Sequence, residues 1–296
     1  MSLLASPLEL HDETLRDGLQ SASVRQPDLV GKLEILHAVA DLGIRSANVG
    51  IPCASPRVAA DVLRLVEEIV EASLDVLPTC AARTVPADVD PILTVADRTG
   101  CEMEVGMFLG TSPVRQLAEG WDLGSLLQWT EQAVRYAVDR GLRVMFVTED
   151  TIRSRPEHVR RLYTTAVDCG AERVCLCDTV GCATPEAVRR LIRFVRGFLA
   201  PGIAVDWHGH NDRGLAVANS LAALEAGADR VHATALGVGE RAGNTSMELL
   251  LREVSRRTGR PWDPERVGRY LERIGRELEV RVPPIWLNQA FKGGLA

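Results

Sequence analysis

The chain has 296 residues, of which 46% are hydrophobic and 25% are charged, the balance of an ordinary globular protein. Its net charge of −6 comes without runs of Lys or Arg, which argues against nucleic acid or an anionic membrane surface as a partner. No stretch reaches the roughly 20 apolar residues of a membrane span. The 7 cysteines, an odd number, favour reduced thiols in the cytoplasm. We therefore expect a cytoplasmic protein.

One unit recurs along the chain, a short apolar run followed by an amphipathic helical pattern. The unit repeats roughly every 30 to 40 residues, the length of a βα unit. The predicted strands are Leu8–Asp12, Ile44–Gly50, Leu74–Cys80, Glu102–Leu109, Leu142–Thr148, Arg173–Asp178, Ile203–His208 and Arg230–Leu236. The predicted helices between them include Leu29–Leu42, Val58–Ala72, Leu123–Asp139, Glu157–Cys169, Pro185–Phe198 and Leu215–Ala226.

Eight strands that alternate with helices predict an α/β fold in which a parallel sheet closes into a TIM (β/α)₈ barrel. A doubly wound open sheet is the alternative, but it usually has fewer strands, and no GxGxxG follows the first strand here. We predict a catalytic barrel over residues 1–258. Residues 259–296 are predicted to form an extension that packs on the barrel or on a partner subunit, with a helix at Pro264–Val280 and an irregular tail at Pro283–Ala296.

Barrels of this kind carry their chemistry at the carboxyl ends of the strands, where polar residues are concentrated in this sequence. His208 and His210 are two residues apart on the seventh strand, so both imidazoles point to the same side and can bind one ion. A carboxylate such as Asp17 would complete a mixed N/O site for Mg, Mn or Zn. The alternative is that the two histidines only cap the strand.

Two further strand ends carry charges that have both a functional and a structural interpretation. Arg16 is either an exposed ion pair of little energetic value or a fixed cation that stabilises an enolate oxygen. Glu149 is either a solvated loop charge or a pocket carboxylate. Cys175 and Cys177 are best explained as small buried hydrophobes. The remaining histidines have no partner spacing and are interpreted as structural or surface residues: His11, His37, His158 and His232.

Three motifs lie at the ends of strands one, seven and eight: DETLRDGLQ at 12–20, HGHND at 208–212 and GVGERAGN at 237–244. In this order they resemble the DRE-TIM metallolyase family. That family includes 2-isopropylmalate synthase, homocitrate synthase, citramalate synthase and 3-hydroxy-3-methylglutaryl-CoA lyase. The resemblance covers nearly the whole chain and implies a metal-dependent acyltransferase that joins acetyl-CoA to a 2-oxo acid, giving an alkylmalate-type product and CoA.

The resemblance also implies a role for each matching residue. In the family's mechanism the 2-oxo acid chelates a divalent metal through its ketone and carboxylate oxygens, and the enolate of acetyl-CoA adds to the ketone. The implied metal ligands are Asp17, His208 and His210, with Asn244 completing or supporting the site. The implied catalytic residues are Arg16, for the carbonyl that becomes an enolate, and Glu149, for proton transfer. The implied substrate-binding residues are Thr179, for the carboxylate of the 2-oxo acid, and Gln20, which lines the same pocket. Asn48 is also predicted to bind substrate, at a pocket position where this chain departs from the family.

Several departures from the family pattern keep alternatives open. Asn48 stands where condensing members usually carry Glu, so we expect altered acceptor choice or proton handling. No His follows His232, although condensing synthases contribute a candidate base from later segments, so a partner chain could supply them. The cysteine-bearing loop of the lyases is replaced by Gly239–Ala242. A carbon–carbon lyase or aldolase and the barrel subunit of a heteromeric synthase remain alternatives. A homodimer is expected by analogy and from the hydrophobic Ile285–Leu287 segment.

Overall fold

The computed structural model describes residues 9–259, 261 and 263–287. Leu8, the first residue of the predicted first strand, and residues 288–296 of the predicted tail lie outside this range. No helix within it is long and apolar enough to cross a membrane.

Eight parallel strands close into a barrel in sequence order, with the first strand paired to the eighth, which confirms the predicted fold. Each strand except the third and the eighth lies within two residues of its predicted bounds. The strands are β1 (Glu9–Asp12), β2 (Ser46–Gly50), β3 (Leu77–Arg83), β4 (Glu104–Gly110), β5 (Arg143–Glu149), β6 (Arg173–Asp178), β7 (Ala204–Gly209) and β8 (Arg230–Ala233).

Helices surround the barrel, and several begin at the caps that the sequence suggests. The side chain of Asp28 accepts a hydrogen bond from Gly31 N at the start of the first helix, and Thr184 accepts one from Ala187 N at the seventh. The helices are α1 (Leu29–Leu42), α2 (Pro56–Glu71), α3 (Pro86–Thr99), α4 (Pro113–Glu119), α5 (Leu123–Val138), α6 (Pro156–Asp168), α7 (Pro185–Arg196), α8 (Ala216–Ala226), α9 (Met247–Thr258), α10 (Pro264–Glu277) and α11 (Pro284–Leu287).

Four predicted boundaries are wrong by three residues, and local turns explain three of them. The fourth is the end of the third strand, which lies at Arg83 rather than Cys80. The third strand begins at Leu77 rather than Leu74, because Ser73 takes a positive φ of 52° and the chain must first turn away from α2. The eighth strand ends at Ala233, since Leu236 has a φ of 57° inside a 3₁₀ turn. The last long helix ends at Glu277 before Glu279, whose φ is 54°, and Pro284–Leu287 forms a short helix within the predicted tail.

Helix α10 lies beside α1, and its buried side chains belong to the same hydrophobic core as the barrel helices. Tyr270 adds a polar contact, because its hydroxyl donates to Asp12 Oδ2 over 2.7 Å at the end of β1. Both residues are buried. The extension is therefore fixed to the strand that leads into the DETLRDGLQ motif.

The lower part of the barrel interior contains charged side chains where TIM barrels usually have layers of branched apolar residues. Arg230 is buried and lies 2.7 Å from both Glu104 Oε1 and Asp206 Oδ2. Arg173 Nη1 is 2.6 Å from Asp206 Oδ1. Asp206 Oδ2 is also 3.0 Å from His232 Nε2. This ion network pairs buried charges and extends upward, through His232, to the carboxyl ends of the strands.

Candidate active site

The carboxyl ends of the strands surround a cavity of about 270 Å³. Its walls combine titratable side chains with apolar ones from β3 to β6. Every predicted site residue except Asn244 lines it: Arg16, Asp17, Gln20, Asn48, Glu149, Thr179, His208 and His210. The structure therefore brings together residues that are up to 194 positions apart in the chain (16 to 210).

Asp17, His208 and His210 form a compact set of donor atoms in this cavity. Asp17 Oδ2 lies 3.3 Å from His208 Nε2 and 3.8 Å from His210 Nε2. The two Nε2 atoms are 3.4 Å apart. All three side chains are buried, and their donor atoms could reach one ion. One carboxylate oxygen and two imidazole nitrogens fit a divalent cation of the Mg, Mn or Zn type.

The electrostatics of this set favour the protonation states that ligands require. Burial alone would raise the pKa of Asp17, but Arg16 and His208 outweigh it and hold that pKa well below its usual range. Burial and the neighbouring His208 lower the pKa of His210 to about 4. Near neutral pH the carboxyl of Asp17 is therefore ionised and the imidazole of His210 is neutral.

Asn244 lies behind this set. Its backbone pairs with that of His210 in an isolated antiparallel β-bridge. Its side-chain nitrogen donates to Val238 O over 3.3 Å. Its Oδ1 is buried without a hydrogen-bond partner. The nearby Gly239 allows this approach, because a Cβ at that position would lie 2.2 Å from Asn244 Nδ2 and 3.1 Å from Asp17 Oδ1. An unpartnered amide oxygen here fits the completing or supporting role.

Arg16 is held at the edge of the same set by several acceptors. Its Nη1 lies 3.2 Å from Asp17 Oδ2 and donates to Gln20 Oε1 over 3.3 Å. Its Nε and Nη2 lie 2.8 Å and 2.7 Å from Glu13 Oε2. The interpretation of Arg16 as an exposed ion pair is wrong, because Glu13 and Asp17 are buried and the arginine side chain is only 18% exposed.

Glu149 and Thr179 face the cavity from neighbouring strand ends. Burial raises the pKa of Glu149 above its usual value, and Arg115 opposes this shift only in part. A carboxyl with a raised pKa is suited to proton transfer near neutral pH. Thr179 Oγ1 accepts a hydrogen bond from Asp150 N over 2.8 Å, and its carbonyl accepts one from Arg241 over 2.6 Å. These contacts fix Thr179 in place.

The sequence reasoning missed three buried residues next to Arg16 and Asn48. Glu13 lies just past β1 and points into the cavity, and His11 and His232 are paired in register on β1 and β8. Strand alternation could have placed His11 and Glu13 on one face, because residues two apart share a side. The interpretation of His11 and His232 as structural residues stays a prediction, because one nitrogen of each lies 3.4 Å from Glu13 Oε1 and His232 lines the cavity.

A family model described as HMGL-like matches residues 7–267. The chain belongs to the HMGL-like family. Homocitrate synthase AksA of Methanopyrus kandleri is 36% identical over 291 residues, which are 96% of this chain and 68% of that protein. The 2-isopropylmalate synthase of Sediminispirochaeta smaragdinae is 33% identical over 249 residues, 82% of this chain and 48% of that protein. This HMGL-like chain thus spans about half to two thirds of the length of these relatives.

Solved structures agree with this HMGL-like assignment at the level of the fold. The HMG-CoA lyase of Bacillus subtilis superposes with a TM-score of 0.79 at 19% identity, covering 96% of this chain and 98% of that one. The identity is too low to carry an activity across, so this likeness supports the closed barrel alone. The sequence relatives at more than 30% identity are named as synthases.

Proposed function

We propose that this chain is the barrel of a metal-dependent condensing enzyme. It joins an acyl-CoA, with acetyl-CoA as the first choice, to the ketone of a 2-oxo acid. A water molecule then hydrolyses the thioester, so that an alkylmalate-type acid and free CoA leave. The observation that carries the proposal is the convergence of Asp17, His208 and His210 beside Arg16 in one cavity.

The donor set of Asp17, His208 and His210 would hold the cation, which supplies Lewis-acid polarisation of a ketone when bound. The guanidinium of Arg16 faces the oxygen on which negative charge develops as the acyl methyl loses its proton. Glu149 receives or returns a proton at its carboxylate. Thr179 uses its hydroxyl hydrogen to bind the substrate carboxylate, because its oxygen already accepts from Asp150 N. Gln20 and Asn48 complete the polar wall.

The charges around the cavity favour an acceptor whose side chain is uncharged. Among the described residues that line it, Arg16 is the one Arg or Lys, and Glu13 and Asp17 already engage it. The acidic side chains of Glu149 and Glu240 would repel a second carboxylate. The remaining wall is formed by small or apolar residues: Ile51, Ala81, Gly106, Phe108, Met145, Val147, Cys175 and Cys177. We therefore propose a monocarboxylic 2-oxo acid with a short apolar side chain.

Condensation is favoured over cleavage by the names of the sequence relatives and by the loop at Gly239–Ala242, which carries no cysteine. Cys175 and Cys177 do line the cavity, but both are buried on β6, and burial raises the pKa of the Cys175 thiol well above its usual range. A thiol in that state is a poor acid or nucleophile.

A homodimer and a cytoplasmic, reducing location belong to the proposal, the latter because all seven cysteines are free.

The test incubates the protein with Mn²⁺, acetyl-CoA and one of a panel of 2-oxo acids, and measures the released CoA by titration of its thiol. We expect release with pyruvate, 2-oxobutyrate or 2-oxoisovalerate and at least about 10-fold less with 2-oxoglutarate, whose second carboxylate lacks a partner cation. Preference for 2-oxoglutarate would refute the proposed acceptor class. Release from none of them, while 3-hydroxy-3-methylglutaryl-CoA or a 4-hydroxy-2-oxo acid is cleaved, would establish the lyase alternative.

A variant tests the proposed role of Arg16 within this reaction. Arg16→Ala should retain Mn²⁺, because the donor set is untouched, and should lose about 10²- to 10³-fold in kcat as one charge-stabilising donor is removed. Metal content and steady-state rates on the same preparation separate the two effects. Normal turnover of Arg16→Ala would refute the enolate role.

A further inference from the structure

The substitution of Asn48 for the usual strand-two Glu predicts a pocket that lacks one carboxylate. The structure places a different carboxylate there. Glu13 comes directly after β1, is buried, and lines the cavity together with Asn48. Asn48 Nδ2 lies 3.4 Å from Glu13 Oε1, so the two side chains share the same small volume.

Both oxygens of Glu13 are engaged, and they have different partners. Oε2 accepts from Arg16 Nε at 2.8 Å and lies 2.7 Å from Arg16 Nη2, so one oxygen binds two nitrogens of the guanidinium. Oε1 accepts a hydrogen bond from Asn48 Nδ2 over 3.4 Å. His11 Nε2 and His232 Nδ1 lie at the same distance from Oε1, as ionic contacts without hydrogen-bond geometry. A carboxylate held from both sides in this way fixes the direction of the arginine that it binds.

The surroundings of His11 and His232 show why Glu13 itself is held. His11 Nδ1 is 2.6 Å from Ser46 Oγ, and His232 Nε2 is 3.0 Å from Asp206 Oδ2. Each ring is thereby oriented with its other nitrogen towards Glu13. Asp206 belongs to the ion network of the lower barrel. A continuous series of polar contacts therefore runs from that network through His232 and Glu13 to Arg16.

We propose that Glu13 is a positioning residue that holds the Arg16 guanidinium against the substrate site. Its carboxylate takes the place of the strand-two carboxylate, and the amide of Asn48 donates a hydrogen bond to it. The inference rests on the proposed function only for its kinetic readout. The cavity then keeps one carboxylate. Glu13, directly after β1, supplies it in place of a Glu on β2, where this chain has Asn48.

A second metal site is the competing explanation, because donor atoms of His11, Glu13 and His232 also lie close enough to hold an ion. Two features favour the positioning role. The carboxylate of Glu13 is already paired with the permanent cation Arg16. A second ion there would also lie near the Asp17 donor set, since the His208 and His232 rings are 5.5 Å apart. Two divalent ions and a guanidinium would repel one another at that spacing.

The test compares Glu13→Gln, Glu13→Ala, and the exchange variant that combines Glu13→Ala with Asn48→Glu. Each is analysed for Mn²⁺ content, for kcat and KM, and by a crystal structure. We expect one Mn²⁺ per chain throughout and a loss of about 100-fold in kcat for Glu13→Gln, with KM for the acceptor nearly unchanged. In Glu13→Ala the guanidinium should leave its wild-type position. The exchange variant should return it and recover at least about 10-fold in kcat.

Four results would overturn the proposal. Glu13→Gln with wild-type kcat would show that the carboxylate does not position Arg16. An unmoved guanidinium in Glu13→Ala, or a guanidinium that the exchange variant does not return to its wild-type position, would show the same without reliance on the reaction. A second equivalent of Mn²⁺ that is lost in His11→Ala would establish the metal site instead. If the wild-type chain releases no CoA from any substrate, the proposed function fails, and the crystal structures still decide the role of Glu13. Glu13→Gln keeps the side-chain shape if Glu13→Ala does not fold.

Discussion

The replacement of Gly239 by Ala perturbs the candidate metal centre without removing a donor. The new Cβ would lie 2.2 Å from Asn244 Nδ2 and 3.1 Å from Asp17 Oδ1. Because non-bonded carbon contacts are favourable only from about 3.5 Å, the Asn244 amide must retreat by more than about 1 Å. The backbone of Asn244 also forms a β-bridge with His210, so a shift of the Asn244 backbone would reach a second residue of the site. We expect the Kd for Mn²⁺ to rise by about 10- to 100-fold, the usual cost of disturbing the residues that orient metal ligands.

The assay is titration of the protein with Mn²⁺, with free Mn²⁺ measured by electron paramagnetic resonance. Gly214→Ala is the matched control. It lies in the loop after β7 at a φ of 70°, and a Cβ there meets nothing within 4 Å. It should cost about 1 kcal/mol in backbone strain and leave the Kd unchanged. Wild-type affinity in Gly239→Ala, or equal weakening in both variants, would refute the placement of Asn244 and Asp17 beside the ion.

Three further predictions concern the ligands, the extension and pH. His210→Ala should abolish tight Mn²⁺ binding in the same titration, while far-UV circular dichroism shows that the barrel still folds; retained binding would contradict the site. Tyr270→Phe should cost about 1.5–3 kcal/mol in urea unfolding, because it removes the donor to the buried Asp12 carboxyl. Tyr136→Phe, at a half-buried tyrosine whose hydroxyl donates to Asp90 at the surface, should cost less than about 0.5 kcal/mol, and equal costs would refute the docking contact. Burial lowers the pKa of His11 from 6.5 to about 4, so its contribution to stability is present above pH 6.5 and is lost as the pH falls towards 4. His11→Gln should lose less stability than the wild type between pH 7 and 4.5, and parallel losses would contradict this.

Much of the site could be predicted because parallel strands bring their carboxyl ends to one end of a barrel. This topology alone places Asp17, Glu149 and Thr179 near the histidines of β7, whatever their distance along the chain. The spacing of His208 and His210 is equally local, because alternate residues of a strand share a side.

For Glu13 the same reasoning gives only part of the answer, because alternation puts Glu13 on the side of His11 but does not say which side faces the cavity. It lies in a motif with acids at positions 12, 13 and 17, and the strand ends just before it. The structure shows that Asp12 points outward to Tyr270 on α10, while Glu13 points inward to Arg16. The outward direction of Asp12 depends on its contact with Tyr270, which is 258 residues away in the sequence.

The strand boundaries at β3 and β8 were missed for a different reason. Both depend on single residues, Ser73 and Leu236, that adopt a left-handed backbone although neither is Gly or Asn. Such conformations are uncommon for these residue types and leave no signal in the hydrophobic pattern.

The central claim is that Asp17, His208 and His210 bind one divalent cation beside Arg16. The most direct measurement is anomalous scattering from crystals of the full chain grown with Mn²⁺. We predict a single strong peak in contact with Asp17 Oδ2 and the Nε2 atoms of His208 and His210. A peak among His11, Glu13 and His232 instead, or no peak near either group at saturating Mn²⁺, would contradict the claim.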